Sequence, residues 1–147
     1  MQTFLPYPDF AQSAKVLDTK RLGKQRVECL QLLNSITGKT TGRGWTNHPA
    51  RDMWRPYVPA LIEYGIVICK EWQSRNFNDT CLIKIQSFST GQSIEYPWWL
   101  GDSKFHHSHK SNLLRKNYEY YSRYFPDVED NHPYIWPVNA TRTFKII

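Results

Sequence analysis

The sequence has few cysteines and little acid. Only Cys29, Cys69 and Cys81 occur in 147 residues, and their spacing fits no metal cage. An odd, scattered set also excludes a disulfide framework, so the three are expected to be reduced core residues of a cytoplasmic protein. No apolar run is long enough to span a bilayer. A leader peptide is not expected either, because MQTFLPYPDF puts Pro6, Pro8 and Asp9 where an unbroken apolar stretch would sit. TGKTTG echoes a phosphate loop but lacks its full spacing and a preceding strand. No Ser/His/Asp or metal-hydrolase pattern is visible. Against 13 Asp and Glu stand 19 Lys and Arg, for a net charge of +6. That excess is a statement about partners and not about fold.

What the chain has in quantity is aromatic. Phe, Trp and Tyr make up 15% of it, with six Trp and nine Tyr. Cations combined with flat apolar faces suit nucleic acid better than a membrane surface. Composition alone leaves open that the protein is merely small and basic.

One domain over residues 1–147 is expected, with no repeat and no low-complexity linker. Pro6 and Pro8 make residues 1–12 an extended arm. A first helix is expected from about Ser13 to Ile36, with Leu22, Cys29, Leu33 and Ile36 as its buried stripe, ending at Thr37-Gly38. Residues 37–59 read as a long loop with a short helical turn at 50–55. Pro59 fits the first turn of a second helix, ALIEYGIVICKEWQSR, which is apolar on nearly every side and therefore central. Residues 76–105 are rich in turn formers, with a short strand expected at 81–86. A third helix runs from roughly His109 to Tyr124, and Pro126 ends it. The fold class expected is all-α: a compact domain of about three main helices with long loops and an extended N-terminal arm.

Four stretches carry chemistry. In KVLDTKRLGKQRVECLQ, positions three, four and seven apart share a face, so Arg21, Lys24 and Glu28 line one side, with Gln25 at its edge. Glu28 then lies at the seam between core and a basic surface. From spacing alone it reads either as an acid/base group or as the i,i+4 ion-pair partner of Lys24. In GRGWTNHP, Arg43 and His48 flank Trp45, giving phosphate donors beside a ring that can stack or wedge; a loop pinned by a buried Trp reads equally well. In FHHSHK the histidines at i, i+1 and i+3 are not a ligand set, and no metal is expected. His107 and Lys110 there are candidate phosphate donors at a helix start. In RKNYEYYSRYF, Arg115 and Lys116 interleave with Tyr120 and Tyr121 as a phosphate-plus-stacking surface, with one face of the helix packing inward.

VLDTKRLGKQRVECLQLL, GWTNHPARDMW and LIEYGIVICKEWQSRNFNDT, in that order over about residues 16–80, resemble the pyrimidine-dimer DNA glycosylases of the phage endonuclease V type and their bacterial relatives. PWWLGDSKFHHSH and NYEYYSRYF match only in outline. The resemblance implies a compact all-α domain of three main helices whose N-terminus reaches the active site. It implies a glycosylase coupled to an abasic-site lyase, in which the first residue's α-amine attacks C1′ and forms a Schiff base. A glutamate of the first helix assists sugar opening and β-elimination. Glu28, six residues beyond Leu22, matches that glutamate. Arg21 and Arg26 resemble the family's phosphate and base contacts, and His48 a histidine that starts the second block.

Two positions depart from the pattern. Residue 2 is Gln, too large for ordinary removal of the initiator, so Met1 is expected to supply the amine. Val27 stands where the family has an Arg just before the glutamate, and Arg26 sits one place earlier. The expectation is therefore a glycosylase and lyase with Met1 and Glu28 as catalytic residues. Arg21, Lys24, Arg26, Arg43, Trp45, His48, His107, Lys110, Arg115, Lys116, Tyr120 and Tyr121 would bind double-stranded DNA carrying damaged pyrimidines. No cofactor, no membrane association and a monomer are expected. The rival readings are a non-catalytic DNA-binding module and a glycosylase for a hypermodified base.

Overall fold

A computed structural model describes residues 2–39 and 47–147. Asp9 opens α1 (Phe10–Val16) by accepting the Gln12 N–H at 2.9 Å. The chain then extends through Leu17 and Asp18 before α2 (Thr19–Thr37) begins. Gly38 closes α2 in the left-handed conformation, φ 75°, where its N–H reaches the carbonyls of Asn34 and Ser35. His48 caps α3 (Pro49–Trp54), with Nδ1 accepting the Ala50 N–H at 3.1 Å and Pro49 in the first turn. A 3₁₀ turn, Arg55–Tyr57, leads into α4 (Val58–Ser74). After α5 (Leu82–Gln86), Asp102 caps α6 (Ser103–Lys116) by accepting the N–H groups of Lys104 and Phe105. The short α7 (Tyr118–Tyr121) follows. The tail closes as an antiparallel pair, β1 (Ile135–Val138) with β2 (Thr143–Ile146), in the register Ile135 to Ile146 and Val138 to Thr143.

The expected all-α fold with three main helices is thus corrected. The tail is a small sheet, and the helices are shorter and more numerous. The first expected helix is split at Leu17-Asp18, because the Asp18 carboxylate is drawn to the Tyr121 hydroxyl and to Arg21 at 3.0 Å. The strand expected at 81–86 is α5. Asp79 accepts the Leu82 N–H at 2.7 Å and starts a helical turn, of which only Ile85 is buried. The helix expected from His109 starts six residues earlier, at the Asp102 cap, and breaks at Asn117. The turn expected at 50–55 is α3.

The buried apolar side chains form one cluster. α4 runs through it against α2, as its all-round apolar sequence requires. The two helices approach closely at Gly65, where a Cβ would stand 2.6 Å from Cys29 Sγ. Leu22, Cys29 and Leu33 are fully buried, as their spacing predicts. All three cysteines are buried and free.

The N-terminal arm is the feature that positions the site. Its residues Gln2 to Leu5 are buried in the core although they pair with no strand among the described residues. Buried backbone groups need partners, and side chains from three helices supply them. Gln25 of α2 accepts the Phe4 N–H at 2.8 Å and donates to the Gln2 carbonyl at 2.5 Å. Tyr64 of α4 donates to the Phe4 carbonyl at 2.8 Å. His109 and His106 of α6 take the two sides of Leu5: His109 Nδ1 accepts its N–H at 2.9 Å, and His106 Nδ1–H donates to its carbonyl at 2.7 Å. Trp54 of α3 holds the Thr3 hydroxyl at 2.9 Å.

Candidate active site

The arm delivers residue 2 to Glu28. The Gln2 N–H donates to Glu28 Oε2 at 3.2 Å, and Gln25 Nε2 donates to the same oxygen at 3.2 Å. Among the described residues no ion pair joins Glu28 to Lys24. Of the two readings that spacing left open, the i,i+4 pair is therefore absent. The carboxylate is held by amide donors and sits half-buried.

Glu28 forms one wall of a pocket of about 220 Å³, lined by Gln2, Phe4 and Gln25, by Tyr134 of the tail, and by Lys20, Arg21, Lys24 and Lys116. Four cations around one carboxylate make the pocket attractive to a polyanion. Arg21 is tethered there, with Nη1 on Asp18 at 3.0 Å and Nη2 on the Lys116 carbonyl at 3.3 Å. Lys20, Lys24 and Lys116 are exposed. Burial raises the Tyr134 hydroxyl above its ordinary value, so it stays protonated and able to donate.

Of the residues singled out from the sequence, Arg21, Lys24, Glu28 and Lys116 come together here. Met1, Arg43 and Trp45 lie outside the described residues. Arg26 points to another face of α2, pairing with Asp79 at 2.6 Å and lying 4.4 Å over the Trp72 ring. His48 caps α3 and meets Trp136 edge-on at 5.4 Å. His107 packs against His132 at 4.7 Å. Lys110 lies over Tyr7 and Phe125. Arg115 is spent on the Asp130 carbonyl at 2.6 Å and on Asn112. Tyr121 is fully buried, its hydroxyl on Asp18 and its ring stacked on Phe125. Tyr120 is half-buried beside Tyr124, with Arg123 5.4 Å over its ring. Cys29 and Cys69 are no nucleophiles, since burial pushes their thiols up.

Sequence reasoning left Lys20 and Tyr134 out of the site and gave Gln25 no role. Lys20 carries a readable signal, since 20, 24 and 28 repeat at four-residue spacing on one helical face. Gln25 and Tyr134 carry none, because their place depends on where the arm and the tail run.

Residues 1–85 match the family model described as pyrimidine dimer DNA glycosylase. That stretch is more than half of the chain and holds the arm, α2 and all the pocket residues except Lys116 and Tyr134. By class this is a DNA glycosylase. The chain belongs to the pyrimidine dimer DNA glycosylase family, as the resemblance of α2 to α4 implied. Among curated proteins and among solved structures nothing matches it. No helix among the described residues is long and apolar enough to cross a membrane.

Proposed function

We propose that the protein excises damaged pyrimidines, pyrimidine dimers first among them, from double-stranded DNA and then cuts the strand as an abasic-site lyase. The observation that carries this reading is the 3.2 Å contact between Gln2 N and Glu28 inside a cationic pocket. Residue 1 is bonded to Gln2 N, so its α-amine stands three bonds away, within about 4 Å of that atom. An α-amine has a pKa of about 8, so a sizeable minority of it is neutral, hence nucleophilic, at physiological pH.

The amine of Met1 attacks C1′. The glycosidic C1′–N bond breaks, the base leaves with its electron pair and takes a proton from water, and the Glu28 carboxylate takes one of the amine's protons. The nitrogen lone pair then expels O4′ from C1′, Glu28 in its acid form gives O4′ a proton, and a protonated imine remains. The resulting Glu28 carboxylate takes a proton from C2′. The C2′–H electrons form a C1′=C2′ bond as the imine π electrons move onto nitrogen; the nitrogen pair then re-forms the imine, C1′=C2′ shifts to C2′=C3′, and the 3′ phosphate leaves with the C3′–O electrons. The imine is the electron sink, and Glu28 is both acid and base. Lys20, Arg21, Lys24 and Lys116 hold the flanking phosphates.

Borohydride reduction in the presence of abasic or UV-irradiated duplex tests this. The expected result is a covalent adduct whose peptide mass places the sugar on Met1, lost when the N-terminus is extended. Glu28→Gln should bind the duplex and cleave it poorly. Binding with neither adduct nor strand break would leave only the DNA-binding module. An adduct on Lys20 or Lys24 would move the nucleophile off the arm.

A further inference from the structure

We infer that Gln25 is the positioning residue of this site, setting the separation between the chain's first residues and Glu28. The inference rests on the proposed N-terminal amine chemistry and deepens it. The Gln25 carboxamide is 2% exposed, and all its hydrogen-bonding capacity is used. Oε1 accepts the Phe4 N–H at 2.8 Å and the Tyr64 hydroxyl at 2.7 Å. Nε2 donates to the Gln2 carbonyl at 2.5 Å and to Glu28 Oε2 at 3.2 Å.

This pattern admits one orientation of the amide. Turning it over would face its NH₂ toward the Phe4 N–H and its oxygen toward both the Gln2 carbonyl and the Glu28 carboxylate. Three repulsive contacts would replace three attractive ones. Gln25 is therefore a crossbar with one end on residue 2 and the other on the catalytic carboxylate. Tyr64, fully buried, braces it from α4, its single hydroxyl proton shared between Gln25 Oε1 and the Phe4 carbonyl. The side chain touches no reacting atom. Its effect is geometric, and a displacement of about 1 Å at a reacting centre costs on the order of 100-fold in rate.

Gln25→Glu is the informative variant. It keeps both acceptors for Phe4 and Tyr64 but, when ionised, removes the donor to Gln2 and Glu28. Single-turnover cleavage of an abasic duplex should fall about 100-fold at pH 7.5, with duplex affinity within about threefold of the parent. As pH falls, the introduced carboxyl gains a proton and can donate again. The ratio of variant to parent rate should therefore rise toward acid, a change that loosened packing would not produce. Tyr64→Phe, which removes only the brace, should lose a few-fold in rate with affinity intact. Amide hydrogen exchange adds a readout that needs no chemistry: in Gln25→Glu the Phe4 N–H should lose protection while the amides of α4 keep theirs.

Parent-like cleavage by Gln25→Glu, a rate ratio flat with pH, or unchanged Phe4 protection would overturn the inference. If the parent itself forms no adduct, the amine chemistry fails. The exchange experiment still decides whether Gln25 sets the arm. If Gln25→Glu does not fold, Tyr64→Phe decides, and parent-like rate and Phe4 protection there would refute the crossbar.

Discussion

Acid should loosen the arm before it attacks the rest of the fold. His109 is fully buried among Phe4, Phe105 and Tyr134 and accepts the Leu5 N–H. Burial first, and then the nearby His106, lower its pKa to about 3. His106 is lowered too, chiefly by burial, with Lys110 adding to the effect and its bond to Leu5 and the Asp102 charge opposing it. Both histidines are neutral in the folded protein and titrate near ~6.5 when unfolded. Their stabilisation is complete above about pH 6.5 and declines as pH falls, because only the unfolded chain takes up the protons. For His109 alone the loss is about 1.4 kcal/mol at pH 5.5 and about 2.7 kcal/mol at pH 4.5. For a chain of this size the first figure lowers Tm by roughly 3–6 °C. His106 adds in the same direction. Asp79, a lowered carboxylate, loses its contribution only as pH falls below its unfolded value near ~3.8, outside this window. Thermal unfolding from pH 7.5 to 5.0 measures the effect. His109→Gln should start less stable, because the glutamine fills less of the site, and its Tm should fall less steeply with acid. A parent Tm that is flat over this range, or a variant with the parent's slope, would refute the reasoning.

Arg26→Ala should destabilise by about 1.5–3 kcal/mol, because the Asp79 carboxylate loses its charged partner and keeps only backbone donors such as the Leu82 N–H; the salt dependence of DNA binding should not change. Gly65→Ala should cost about 1–2 kcal/mol in denaturant unfolding, since its Cβ meets Cys29 Sγ at 2.6 Å and Ile85 at 3.1 Å in a packed core, outweighing the helix propensity gained. Replacing Lys24 and Lys116 together by Ala should flatten the slope of log affinity against log salt by about 2, measured by fluorescence anisotropy on a duplex. A slope change for Arg26→Ala would return Arg26 to the DNA face.

The α2 stripe was readable because a 3.6-residue period on a buried helix is a strong local signal: Leu22, Cys29 and Leu33 fell where spacing placed them. The centrality of α4 was readable for the same reason. The break at Leu17-Asp18 was not, because it depends on Tyr121, some hundred residues away, taking the Asp18 carboxylate. The strand expected at 81–86 has no partner strand among the described residues, and Asp79 caps a helical turn there. The tail hairpin was missed because Pro137 sits inside β1. In the site, charge and spacing brought Arg21, Lys24 and Glu28 to one face. The same rules put Arg115 and Tyr121, and the family resemblance put Arg26, on the DNA side, where the fold instead uses them to hold the Asp130 carbonyl, Asp18 and Asp79. Interleaved charge and aromaticity is a pattern that internal clamps also produce.

The arm explains why so many helix side chains that look functional are structural. An extended segment buried without a strand partner exposes its backbone groups to a dry interior, where each unmade bond costs about 1–3 kcal/mol. This chain meets that requirement with Gln25, Tyr64, His106 and His109, which draw polar and titratable groups into the core. Burial then keeps both histidines uncharged, so they serve as neutral donor and acceptor and are poorly suited to phosphate. Because the bonds converge on residues 2 to 5 from three helices, the arm's register is fixed by more contacts than its position requires. Losing one should loosen the arm locally and leave its path in place. The proposed amine chemistry needs that redundancy, since a free end frays unless the fold holds it. In this fold the last link of that hold is the amide of Gln25, which joins residue 2 to Glu28.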